Sequence, residues 1–418
     1  MPAAASRATG FGGLRLIPAA PAARSLFGLD WLNFFIANFQ TGFGPFISVY
    51  LTAGGWTQGA IGAALSVGTV TAVVAQVPAG SLVDMLANKG RAAAAAIVAI
   101  GVSAAAIAAW PVLLPIMVAE SLHAFASAVL GPAVAALSLV LVDRAAFGER
   151  LGRNARYAAL GNAFAAALMG ACGYFVSNRA VFLLTAALAI PALLCLRFIR
   201  ATGPAQPAAA GPARPAGARS WHFVADRRFF AFALCAFLFH LANAAMLPIA
   251  AAAITKRAGG EAPLLIAACL VGPQAVTALI SPWAGRAAQL WGRRPVLCLG
   301  FATLPLRGLL FAAVGNPFLV IAIQLFDGLG AAVFGVLFPL VVSDITGESG
   351  HYTTALGAVG LAIGGGATLS TTAAGLAADR FGDGAAFLGL GGVGLLATLA
   401  VLVLLRETRP FVLRPARN

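Results

Sequence analysis

A chain of 418 residues that is 61% hydrophobic and only 10% charged cannot cover a water-facing surface, since soluble domains carry about 25% charged residues. The formal net charge of +14 does not point to nucleic acid, because the basic residues fall in short groups between apolar runs and form no patch interleaved with aromatics. What remains is an all-α integral membrane protein that crosses the bilayer many times.

Residues 1–25 hold Arg7, Arg15 and Arg24 but no apolar core, so they read as a cytoplasmic tail and not as a cleaved leader. A spanning helix needs about 20 mostly apolar residues. Windows of that kind lie at 26–50, 59–83, 92–110, 112–142, 157–178 and 180–199, and again at 229–254, 262–285, 296–315, 318–343, 355–378 and 385–405. The chain therefore predicts twelve transmembrane helices in two sets of six, 26–199 and 229–405. The stretch 200–228 between them is rich in Pro, Ala and Gly and reads as a flexible cytoplasmic linker, and 406–418 as a cytoplasmic C-tail. With both termini inside, 22 of the 27 Lys and Arg residues fall on the cytoplasmic side and four on the other, which fixes the expected orientation.

The second half echoes the first. "ESLHAFASAVLG" at 120–131 aligns without gaps to "QLFDGLGAAVFG" at 324–335, pairing Glu120 with Gln324 and His123 with Asp327. "FIAN" at 35–38 matches "HLAN" at 240–243, pairing Asn38 with Asn243. The spans are thus expected to form two pseudo-symmetric six-helix bundles.

On these features the chain resembles the major facilitator superfamily. The loop after the second span reads "GSLVDMLANKGR", with Gly80, Asp84, Lys89 and Arg91, against the family's Gly-x-x-x-Asp followed by a basic run. The loop after the eighth span reads "GRAAQLWGRRP", with Arg293 and Arg294 at the family spacing and Gln289 where the Asp would sit. The resemblance implies a transporter fold whose spans 1, 4, 7 and 10 line a central cavity, with these loop residues acting as a cytoplasmic gate; Asp30, only about a turn from the cytoplasmic end of its span, suits a gate or helix-end role. The fourth span lacks the Arg that the family often places near Glu120, so no mechanism resting on that Arg carries over.

The intramembrane polar residues follow the cavity-lining spans. The first holds Asn38 and Gln40, the fourth Glu120 and His123, the seventh His240 and Asn243, and the tenth Gln324 and Asp327. A charge at the bilayer centre costs about 2.5–3.5 kcal/mol on insertion scales, so each such group needs a reason to be there. Asn38 and Asn243 suit either interhelical hydrogen bonding or solute contact. Glu120 and His123 either satisfy one another or hold a proton during transport. Arg307, on the ninth span, is expected to be the charge partner of a carboxylate such as Asp327. The five cysteines show no metal-ligand spacing, and no P-loop or paired catalytic group appears, so neither an enzyme nor a cofactor or metal is expected.

These features lead to the expectation of a monomeric secondary active transporter in the bacterial inner membrane, with a small-molecule substrate, protons and membrane lipid as its partners. Efflux by proton antiport leads, proton-coupled uptake is its rival, and a non-transporting receptor or scaffold on the same fold is the alternative of another class.

Overall fold

Side-chain caps punctuate the apolar helices at the positions where the sequence turns polar. Thr57 Oγ1 accepts from Ala60 N (3.3 Å), Asn88 Oδ1 from Arg91 N (3.0 Å), Ser177 Oγ from Ala180 N (3.1 Å) and Asn316 Oδ1 from Phe318 N (2.9 Å). The computed structural model describes residues 20–41, 43, 45–199, 226–258, 262–347, 349 and 351–409. The expected linker lies almost wholly outside the described residues, as do most of the two tails.

The chain is helical throughout the described residues. The first bundle contains α1 (Ala20–Thr41), α2 (Pro45–Ala53), α3 (Gln58–Met85), α4 (Lys89–Ala109), α5 (Leu113–Leu141), α6 (Arg144–Phe175) and α7 (Asn178–Phe198). The second contains α8 (Arg227–Asn243), α9 (Met246–Ala258), α10 (Ala262–Trp291), α11 (Arg293–Ala313), α12 (Pro317–Thr346), α13 (Tyr352–Phe381) and α14 (Asp383–Leu404). Among the described residues eleven segments are long and apolar enough to cross a membrane, counting α8 and α9 as one, and α1 with α2 makes the remaining span. The first and seventh spans, expected as continuous helices, are each broken near their middle. Pro45 at the start of α2 cannot donate to the turn before it, which accounts for the first break.

Two expected boundaries are corrected. Helix α1 starts at Ala20, inside the expected tail. Helix α6 starts at Arg144, so that Arg144, Arg150, Arg153 and Arg156 stand on helix and not in the loop before it. A run of basic residues hides a helix start when hydropathy alone sets the boundary.

Within each bundle the outer spans pack through small residues. A Cβ on Gly308 of α11 would lie 2.5 Å from Gly391 Cα of α14, a close approach typical of helices that have no hydrophobic drive to associate in lipid. Between bundles, α3 packs on α13 and α6 on α10. We call proximal the end at which α1 begins and α14 stops, and distal the opposite end. Toward the proximal end one core joins both bundles, with Phe147 and Leu151 set among Tyr352, Ala355 and Leu356. Toward the distal end each bundle has a core of its own, Ala165, Met169 and Val181 in the first and Met246, Ile249 and Phe387 in the second.

Candidate functional site

Three polar layers occupy the interface and the interior of the bundles. The proximal layer holds the bundles together. The Asp84 carboxylate accepts from Thr353 N (3.1 Å), Thr354 N (2.7 Å) and Thr354 Oγ1 (2.7 Å), at the N-terminus of α13. A carboxylate there meets both the free N–H groups and the positive end of the helix dipole. Arg286 pairs with Glu149 at 2.9 Å, Arg144 Nη2 donates to Gly347 O (3.1 Å), and Gln289 Nε2 donates to Arg144 O (3.5 Å). Deeper contacts follow, Arg156 Nε to Ala278 O (3.0 Å) and Asn162 Nδ2 to Gln274 Oε1 (3.5 Å).

The backbones touch at this level. A Cβ on Gly80 would lie 2.1 Å from Thr353 O, one on Gly285 2.1 Å from Gly148 O, and one on Gly357 2.0 Å from Gln76 O. Real Cβ atoms do not come so close, so glycine is what allows this closure.

Of the expected gate residues, Asp84 alone bonds across the bundles. Lys89 Nζ caps the end of α3, donating to Val83 O (2.6 Å), Leu86 O (2.8 Å) and Asp84 O (3.2 Å). Arg91 is exposed. Arg293 is buried and pairs with Asp344 (2.9 Å) inside the second bundle, and Arg294 Nη2 donates to Leu402 O. Asp30, 1% exposed, binds both Arg150 and Arg153 of α6 within the first bundle. The missed bridging residues are Arg144, Glu149, Arg156, Asn162, Gln274, Arg286, Thr353 and Thr354. Nothing in their sequence neighbourhoods separates them from ordinary polar residues of helices.

The second layer is a connected network in the second bundle, in which Arg307 Nε alone lacks a partner among the described residues. Arg307, 1% exposed, donates through Nη1 to Asp327 Oδ1 (2.8 Å) and through Nη2 to Gln324 Oε1 (2.9 Å). Its Nη1 also donates to Asn243 Oδ1. Gln324 Nε2 closes the ring on Asp327 Oδ2 (3.4 Å). One cation thus meets three acceptors from the seventh and tenth spans. His240 stands beside them with Nδ1 3.0 Å from Ala236 O and its ring edge-on to Phe334.

The third layer is its counterpart in the first bundle, and it is not closed. Asn38 Oδ1, Glu120 Oε1, His123 Nε2 and Ser127 Oγ are buried with no hydrogen-bond partner among the described residues. Asn38 Nδ2 reaches only Phe34 O in its own helix (3.4 Å), and the His123 ring lies flat on Phe43 with centroids 3.7 Å apart. A Cβ on Gly68 of α3 would stand 2.8 Å from Glu120 Oε2, so glycine leaves this carboxylate its place. Gln40 is half-buried beside them on the first span. Buried polar atoms are nearly always satisfied, and four orphans on two adjacent spans are a feature to be explained. Glu120 lies seven residues inside α5 from its distal end, about 10 Å. It therefore stands on the side where the bundles have separate cores.

A family model described as the Major Facilitator Superfamily matches residues 29–254 and again 232–417. An uncharacterized MFS-type transporter of Mycobacterium tuberculosis (strain ATCC 25618 / H37Rv) is 36% identical over 387 residues, covering 91% of this chain and 93% of that one. Among solved structures, the human organic anion transporter MFSD10 superposes with TM-score 0.73 at 15% identity, over 91% of this chain and 99% of that one. FucP in its outward conformation gives TM-score 0.71 at 16% identity, over 93% and 99%. At such identities the solved structures establish a shared fold.

Proposed function

Because the chain belongs to the major facilitator superfamily, we propose that it is a secondary active transporter in which Glu120 and His123 couple solute movement to protons, working as an efflux antiporter. The observation that carries this reading is the contrast between the two ends. The bundles are bonded together proximally, and Glu120 and His123 sit unpartnered toward the end where their cores part. Alternating access requires such a gate on one side of a buried site, with a matching release on the other.

The excess of Lys and Arg at the proximal end supports a cytoplasmic proximal side, and on that reading this is the outward-facing state of a transporter in a bacterial cytoplasmic membrane. The solute site lies between the bundles, with Asn38, Gln40, Glu120 and His123 on one side and His240, Asn243, Gln324 and Asp327 on the other. Asp84 and the Glu149–Arg286 pair hold the inner gate and separate when the opposite state forms. Arg307 balances the Asp327 charge and keeps the second bundle's side of the site in place.

The test is flux in proteoliposomes carrying a pH-sensitive dye in the lumen. A solute that moves against its gradient when an opposing pH gradient is imposed, with proton movement that depends on the solute, is the expected result. Purified, correctly folded protein that moves no solute of a broad metabolite and drug panel under that gradient would falsify the reading.

A further inference from the structure

The third and fourth spans of the first bundle and the ninth and tenth of the second are built on one template with opposite polar outcomes. Helices α4 and α11 start at Lys89 and Arg293 and end at Ala109 and Ala313, and α5 and α12 start at Leu113 and Pro317, a constant offset of 204. On that register Glu120 corresponds to Gln324 and His123 to Asp327, and Asn38 pairs with Asn243 through the first- and seventh-span match. The residue that corresponds to Arg307 is Ser103.

Arg307 is the cation that satisfies Asn243, Gln324 and Asp327. In the first bundle the same three places hold Asn38, Glu120 and His123, and no cation among the described residues bonds to the orphaned atoms. The Ser103 hydroxyl is buried and turned back to Ala99 O (2.9 Å). Among the described residues no neighbouring helix makes up the deficit: the charges of α6 stand in its proximal half, where Arg150 and Arg153 bind Asp30, Arg156 donates to Ala278 O and Glu149 pairs with Arg286. The one charged residue of α3 is Asp84, and those of α4 are Lys89 and Arg91, all at the proximal ends of their helices. On α1 the charges are Arg24 and Asp30, again proximal, and on α13 Asp379 and Arg380 are exposed in its last turns. Of the six buried side-chain atoms without a partner among the described residues, four belong to Asn38, Glu120, His123 and Ser127, and the other two are the Nε atoms of Arg294 and Arg307.

We propose that Asn38, Glu120, His123 and Ser127 recognise a cationic, hydrogen-bond-donating group of the solute, a guanidinium or ammonium, at the place that Arg307 holds in the second bundle. The proposal rests on the reading of the chain as a transporter with its site between the bundles. A carboxylate and an amide oxygen accept from such a group, and the Ser127 hydroxyl and the neutral His123 ring each offer a further acceptor. A buried carboxylate is tolerable when paired with a cation or when protonated, so solute and proton take turns on Glu120. That alternation is what exchange of one for the other requires. The repeat thus supplies one half with an internal arginine and leaves the other half to receive the equivalent charge from outside.

The experiment is thermal stabilisation of the purified full chain in detergent at fixed pH, with three probes of one size: the cations benzamidine and benzylamine, and the neutral isostere benzamide. Both cations raise the unfolding temperature in a saturable way, and benzamide does not. Glu120→Gln weakens the cation response at least tenfold while its unfolding temperature without ligand stays near the parent's. Ser103→Arg supplies the cation from within and abolishes the response. Should that variant misfold, Asn38→Ala is the second test, with a several-fold loss expected. Equal responses to benzamide and the two cations, or a parental benzamidine response in Glu120→Gln, would overturn the proposal. Proteoliposome flux separates it from the transport reading. Proton-coupled flux of a neutral or anionic solute that benzamidine leaves unchanged sinks the cation site and keeps the transporter. Saturable cation binding through Glu120 without any flux keeps the site and sinks transport.

Discussion

Arg307 Nη1 lies 2.8 Å from Asp327 Oδ1, whereas His123, at the place of Asp327 in the first bundle, lies against Phe43 with its Nε2 unpartnered. Two copies of one helical template have therefore divided the work. One has its carboxylate neutralised by its own arginine. The other carries buried polar groups with no hydrogen-bond partner among the described residues, which the proposed function assigns to a proton and a solute.

Removing one member of the neutralised cluster exposes what it holds. Arg307→Met leaves Asp327, Gln324 and Asn243 without their donor and is expected to cost about 3 kcal/mol of stability, within the range for breaking a buried pair. Arg307→Met combined with Asp327→Asn recovers a large part of that loss, since no lone charge remains. Thermal or denaturant unfolding of the three proteins in detergent reads both effects, and a double variant no more stable than the single one contradicts the pairing.

The proximal closure makes a conformational prediction. Asp84→Ala removes three hydrogen bonds to the α13 N-terminus. At about 1.5–3 kcal/mol for a bond to a charged group, even partial loss shifts the balance toward the opposite state by about tenfold or more. Gly80→Leu acts more strongly, because its Cβ would already meet Thr353 O at 2.1 Å. Ser281, fully buried where α10 meets α6, is the reporter. A Ser281→Cys probe in a background without the five native cysteines reacts faster with a water-soluble maleimide in both variants. Unchanged labelling would show that this closure does not gate access to the interface.

A strap at the C-terminus fastens the loop between α10 and α11. Helix α11 begins after Gly292, whose φ of 102° suits glycine and which offers no side-chain cap. Glu407 supplies that cap from 114 residues away, accepting from Arg293 N (2.8 Å) and Arg294 N (3.1 Å), while Arg409 Nη1 donates to Leu290 O (2.9 Å). Glu407→Ala is expected to cost about 1 kcal/mol, the usual worth of an N-cap. Its unfolding temperature falls while substrate affinity is kept. An unchanged unfolding temperature would show the strap to be dispensable.

Much of the architecture is legible in the residues. The apolar windows locate the spans, and the short breaks at 110–112 and 314–316 lie between helices. The "ESLHAFASAVLG"/"QLFDGLGAAVFG" match places α5 over α12, and the structure carries the same register into α4 and α11. What the sequence hides has physical causes. Arg150 and Arg153 read as loop charges because positive residues near a span end suit both a loop and the first turns of a helix. The breaks after Thr41 and Asn243 are invisible to a hydropathy window, which averages across them. The glycine contacts at Gly80, Gly148 and Gly285 depend on which helix lies opposite, and glycine is common in membrane helices without any such contact. The sequence points to Asp327 as partner for Arg307, but that Asn243 and Gln324 join it depends on three-dimensional depth.

The most direct test of the account is proton movement by the Glu120→Gln protein in proteoliposomes, compared with the parent at matched incorporation. Glutamine keeps the size of the side chain but can neither carry a charge nor exchange a proton. The parent is expected to show solute-dependent proton movement that changes with external pH, and Glu120→Gln none at any pH. Solute-dependent proton movement at the parental rate, with the parental pH profile, in the Glu120→Gln protein would contradict the account.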